Sequence, residues 1–116
     1  MIKEIKVNNL VHPFRHIFVY QEEDVLGKIE IDIIYEKSEL VDLFVNEAKR
    51  GEKIGTKLLN HAIEYAKNKG CQNMTLEVKE DNIIAIHLYE NLGFKQVAIR
   101  EGYYKGIDGI LMELIM

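Results

Sequence analysis

Cysteine and proline are all but missing from this 116-residue chain, which holds one of each, Cys71 and Pro13. A single cysteine excludes an intramolecular disulfide, and with no thiolate-activating motif around it Cys71 is expected to be a passive thiol just beyond a helix end. The lone proline, and the absence of repeats or Pro/Gly/Ser-rich tracts, exclude an internal linker. One domain with one core around one sheet is therefore expected. No apolar run approaches the roughly 18 residues of a membrane span, and residues 1–10 are broken by Lys3, Glu4 and Lys6, so the chain reads as cytoplasmic, without a membrane segment or signal peptide. Positive charge is also in deficit: a net charge of −4 argues against nucleic acid as a partner. The four histidines, His12, His16, His61 and His87, show no metal-ligand spacing with cysteine or carboxylate partners, and no metal site is expected.

What is present is a succession of changing periods. Residues 2–7 and 16–21 read as strands separated by a loop over 8–15, and 25–35 alternates with period two at Ile29, Ile31 and Ile33. Residues 40–45, apolar apart from Asp42, have the pattern of a strand covered on both faces. From Gly55 the period becomes 3.6, with Leu58, Leu59, Ala62, Ile63 and Ala66 on one face, and Gly70 closes the helix. Met74, Leu76 and Val78 then alternate with Thr75, Glu77 and Lys79. A second helix over 83–92 carries apolar residues at 84, 88 and 92 and ends at Gly93. Strands at 95–102 and 109–115 flank a loop at 103–108. The order implies an α/β (α+β) fold: a mixed sheet of about seven strands, antiparallel at its ends, with a parallel βαβ unit in the middle and two main helices.

Two segments carry chemistry. Lys49-Arg50-Gly51-Glu52-Lys53-Ile54-Gly55-Thr56 is a basic, glycine-bearing turn feeding a helix, where unpaired N–H groups at the positive dipole end suit a pyrophosphate. Alone, it reads equally well as a solvated charged loop at a helix start. The second runs from Asn82 to Phe94 and holds Tyr89, a phenol that stays protonated at neutral pH and can donate to a leaving thiolate. Glu77, midway along the strand between the two segments, is either a base for an amine proton or one member of a solvated strand face with Thr75 and Lys79. His87 is expected at the surface, and Tyr103 and Tyr104 either pack an edge strand or shape an acceptor site.

In order and spacing these segments resemble the GCN5-related N-acetyltransferase (GNAT) superfamily, closest in pattern to the ribosomal-protein-alanine type through Leu76-Glu77-Val78, Asn82, Leu88-Tyr89-Glu90 and Leu92-Gly93-Phe94. The resemblance is good over residues 25–116 and poor before them, because the family places two helices where only 8–15 stands here. It implies acetyl-CoA as cosubstrate and a primary amine as acceptor, a protein N-terminus or a small molecule; a CoA-binding module without catalysis is the alternative from another class. It implies Tyr89 as general acid, backbone groups of Leu43, Phe44 and Val45 along the acetyl-pantetheine arm, Arg50, Gly51, Glu52, Lys53, Ile54, Gly55 and Thr56 at the pyrophosphate, and a side-chain contact from Asn82. Lys53 departs from the family pattern, which has glycine there. If that position needs a positive φ, lysine is strained by roughly 1–2 kcal/mol. The missing front helices leave the acceptor side without a wall that a second subunit could supply, so a homodimer is among the expectations.

Overall fold

The structure, a computed structural model, describes the backbone of residues 1–116 and every side chain except those of Arg50, Gly51 and Glu52. Seven strands form one sheet: β1 (Ile2–Ile5), β2 (Arg15–Gln21), β3 (Val25–Ile34), β4 (Lys37–Val45), β5 (Asn73–Lys79), β6 (Lys95–Tyr104) and β7 (Ile107–Ile115), in the spatial order β1-β2-β3-β4-β5-β7-β6. Helix α1 (Ile54–Asn68) connects β4 to β5, α2 (Ile83–Asn91) connects β5 to β6, and a 3₁₀ turn over Glu47–Glu52 precedes α1. The mixed sheet with two helices is as expected. Only β4 and β5 pair in parallel; every other neighbouring pair is antiparallel, and β7 inserts between β5 and β6.

The core lies between the sheet and α1. Apolar side chains at 54, 58, 59, 62, 63 and 66 are all buried, so the period of 3.6 delivers one continuous stripe against the strands. At about 1.5–3 kcal/mol for each large apolar side chain, this stripe does most to hold α1 in place. Ile29 and Ile31 meet it from β3, and Met74 and Leu76 extend the same face along β5. At Gly27 the strand comes close under the helix. A Cβ there would stand 2.9 Å from Leu58 Cδ1 and 3.1 Å from the Phe44 carbonyl. The alternate residues of β3 and β5, among them Lys28, Glu30, Asp32, Glu77 and Lys79, stay at least partly exposed on the other face. There Arg15 reaches Asp32 through Nε at 2.6 Å and lies 3.9 Å from Glu30. No helix among the described residues is long and apolar enough to cross a membrane.

Three sequence expectations are corrected. Strand β4 is not covered on both faces: Val41 and Phe44 are 40% and 54% exposed. Glu30 pairs with Asp42 while Ile31 pairs with Leu40, so Val41 is an extra residue, a β-bulge. The bulge moves the inward set from Ser38 and Leu40 to Leu43 and Val45, and the apolar run in sequence, interrupted by Asp42 alone, is the trace of that change of phase. On α2 the stripe at 84, 88 and 92 holds only in part: Leu88 and Leu92 pack half-buried against the core, but Ile84 is 82% exposed, and the one buried side chain is Tyr89. The expected loop at 103–108 is instead a tight hairpin turning on Lys105 and Gly106, both with positive φ as a two-residue turn between twisted strands requires.

Candidate active site

The site begins where two strands part. Strands β4 and β5 pair only over Lys37–Glu39 and Asn73–Thr75, after which no pairing joins them. Backbone groups of residues 40–45 that face away from β3 therefore have no ladder partner across the gap, and such groups demand one. The gap is a cavity of about 360 Å³ lined by Leu40, Val41, Asp42 and Leu43 on one side, by residues 76–79 on the other, and closed by Asn82 and Tyr89 of the α2 segment.

Tyr89 is 8% exposed, with its ring 5.9 Å from that of Phe94. Burial first, then the negative charge of Asp42, raises its phenol above the ordinary value, so the hydroxyl remains a proton donor at neutral pH. Asn82 caps α2, its Oδ1 accepting from the Ala85 N–H at 3.2 Å, and the residue stands at the cavity wall. Glu77 lines the cavity and turns its carboxylate toward β6, where Arg100 Nε lies 3.6 Å from Oε2.

Beside the cavity, α1 starts with an open N-terminus. Lys53, at φ 59° and ψ 29°, is left-handed, makes no side-chain cap, and no acidic residue occupies the first turn. Among the described residues the N–H groups of Ile54, Gly55 and Thr56 have no backbone partner, and they lie at the positive end of the helix dipole, a setting that accepts phosphate oxygens. The sequence expectation of a positive φ at Lys53 holds, and with it the strain. Lys53→Gly should raise stability by about 1 kcal/mol in a urea titration. Gly55 lies against Val45, Leu43 and Leu88, so α1, β4 and α2 converge at one point.

The expected cofactor residues separate accordingly. Leu43 lines the cavity, whereas Phe44 is exposed on the far face and Val45 packs toward α1, so these two offer only backbone. Ile54 is a core side chain, 2% exposed, and likewise has only its N–H to give. The side chains of Arg50, Gly51 and Glu52, also expected at the pyrophosphate, lie outside the described residues. Asp42 is the cavity residue that sequence reasoning passed over. Its signal was a lone carboxylate inside an apolar strand. Burial raises the Cys71 thiol above its ordinary value and keeps it protonated, as suits a passive core residue. Among the described residues no three His, Cys, Asp or Glu side chains gather as a metal would need.

A model of the acetyltransferase (GNAT) family matches residues 3–94. The chain belongs to that family. Among GNAT relatives, the [ribosomal protein bS18]-alanine N-acetyltransferase of Escherichia coli (strain K12) is 33% identical over 84 residues, 72% of this chain. The chain spans only 57% of that relative's length. The crystal structure of the Escherichia coli ribosomal-protein-S18-alanine N-acetyltransferase superposes with a TM-score of 0.87 at 23% identity, over 99% of this chain and 92% of the other. A GNAT acetyltransferase from Elizabethkingia anophelis, solved with acetyl-CoA bound, gives 0.86 at 17% identity over 100% and 97%. These two likenesses establish the GNAT fold.

Proposed function

We propose that this chain transfers the acetyl group of acetyl-CoA directly to a primary amine, the acceptor being the α-amino group at a protein or peptide N-terminus. The observation that carries the reading is the convergence of three features: the gap between β4 and β5, the open N-terminus of α1 beside it, and Tyr89 with Glu77 on its lining. The acceptor class draws support from the bS18-alanine acetyltransferase relative, and the donor from the neighbour solved with acetyl-CoA.

In this reading the diphosphate rests on the N–H groups of residues 54–56, and the pantetheine arm lies along β4 as an added strand would. Glu77 takes a proton from the acceptor ammonium, directly or through water. The freed amine attacks the thioester carbonyl, forming the C–N bond, and backbone N–H groups of the parted β4 edge stabilise the oxyanion. As the C–S bond breaks, Tyr89 gives its proton to the departing thiolate and is reprotonated by the proton lost from nitrogen.

The test is thiol release from acetyl-CoA with N-terminal-alanine peptides and small amines as acceptors, beside calorimetry of CoA binding. Turnover on the peptides is expected. CoA binding without turnover on any acceptor overturns the catalytic reading in favour of a binding module, and no heat at millimolar CoA overturns both.

A further inference from the structure

The carboxylate of Glu77 does not project freely into the gap. It lies over Gly109 of β7, where an added Cβ would collide with Oε2 and stand 3.0 Å from Tyr104 Cε2. Oε2 is buried without a hydrogen bond, and Arg100 Nε is 3.6 Å away. Among the described residues, the surrounding groups leave one cation to face it. Lys79, on the same strand, is placed over the Tyr104 ring, 5.3 Å from its centroid. On β6, Tyr104 stacks edge-on against Tyr103, and the Arg100 guanidinium covers the Tyr103 ring at 4.8 Å. Asp108 at the start of β7 accepts from the Gly102 N–H at 2.8 Å and so is occupied. Across the gap stand Asp42 of β4 and Tyr89 of α2. A desolvated carboxylate oxygen without a hydrogen-bond donor is left with the cation beside it to compensate its charge.

We infer that Arg100, Tyr104 and the side-chain-free Gly109 form a seat that fixes the Glu77 carboxylate for proton abstraction, with Arg100 a positioning residue for the reaction. Gly109 supplies the floor, Tyr104 the wall and Arg100 the charge. Arg100 is held over Tyr103, which restricts its rotamers and spares part of the entropy that an exposed ion pair ordinarily loses. The role rests on the proposed function, and in particular on Glu77 as base.

Two readouts separate the seat from that reading. In the full chain carrying ¹³C-labelled glutamate, the Glu77 carboxyl resonance should move in Arg100→Gln and return toward the wild-type position in Arg100→Lys. With an N-terminal-alanine peptide and acetyl-CoA, Arg100→Gln should lower kcat about tenfold, and Arg100→Lys should recover most of that loss. The loss arises because the carboxylate is no longer held where the acceptor amine can reach it. The KM for acetyl-CoA should not move. Gly109→Ala, which ejects the carboxylate without removing a charge, should lower kcat at every pH. An unchanged Glu77 carboxyl resonance in Arg100→Gln overturns the seat whatever the activity. Full turnover by Glu77→Gln overturns the base assignment, and Arg100's part in the reaction with it, even where the resonance does move. Arg100 is half exposed, so its variants are expected to fold even where Gly109→Ala does not.

Discussion

Tyr89→Phe is expected to lower kcat for acetyl transfer by about 10²- to 10⁴-fold, the usual contribution of a positioned acid, with little change in the KM for acetyl-CoA. Phenylalanine keeps the ring that packs on Phe94 and removes only a hydroxyl that makes no hydrogen bond to the described residues. Thermal stability should therefore stay within about 1 kcal/mol of wild type, which separates lost chemistry from lost fold. The pH dependence has a definite sign. Burial and Asp42 both raise the Tyr89 phenol, so the donor remains protonated across neutral and mildly alkaline pH. Its ionisation should produce no fall in kcat below about pH 10. The same elevation contributes to stability below the unfolded-state value near 10 and is lost as pH climbs through the folded-state value. Stopped-flow detection of free thiol from pH 6 to 10 measures the first effect, and a kcat unchanged in Tyr89→Phe removes Tyr89 from the mechanism.

Leu58→Ala should cost about 2–5 kcal/mol, a large share of the roughly 5–15 kcal/mol available to a domain of this size. Leu58 is fully buried and sits against Gly27, beneath the first turns of α1. Truncating it opens a cavity that rigid strands on one side and the helix backbone on the other cannot close. The melting temperature should fall by roughly 10 °C or more, whereas Leu58→Met, which conserves volume, should cost under about 1.5 kcal/mol. Differential scanning calorimetry distinguishes the two. Because the same contact sets the position of residues 54–56, the alanine variant should also bind CoA more weakly even at temperatures where it is folded. Equal affinity in both variants would mean that the helix entrance is positioned by something else.

Local periodicity made much of this legible in the sequence. The stripe at 58, 59, 62, 63 and 66 needs nothing but the helical repeat to be seen, and Gly70 and Gly93, both at positive φ, end their helices as their residue type suggests. What escaped depends on partners distant in the chain. That β7 lies between β5 and β6 follows from pairings such as Leu76 with Met112 and Ile99 with Ile110, which no local pattern encodes. The ion pair of Arg100 with Glu77 spans two strands for the same reason. Helix α2 misled for a different cause: it is short and apolar nearly all round, so sequence alone could not say that Tyr89, rather than Ile84, would face inward. Asp42 was visible as a residue, but its place in the gap depends on the added residue at Val41, and one extra residue in a strand leaves no signature apart from a run that is too evenly apolar.

That added residue gives β4 an unequal tolerance to change. Side chains at 41 can be exchanged at little cost to stability, since the position is partly exposed and belongs to neither inward set. Deleting the residue would leave residues 42–45 in phase, because Ile31 already pairs with Leu40 and Glu30 with Asp42, and the ladder with β3 would become regular. What the deletion would remove is the local bend that a bulge gives its strand, just beyond the last β4–β5 pair at Glu39. A straightened β4 would run on beside β5 and narrow the cavity, so the shortened strand should keep the fold while losing the gap.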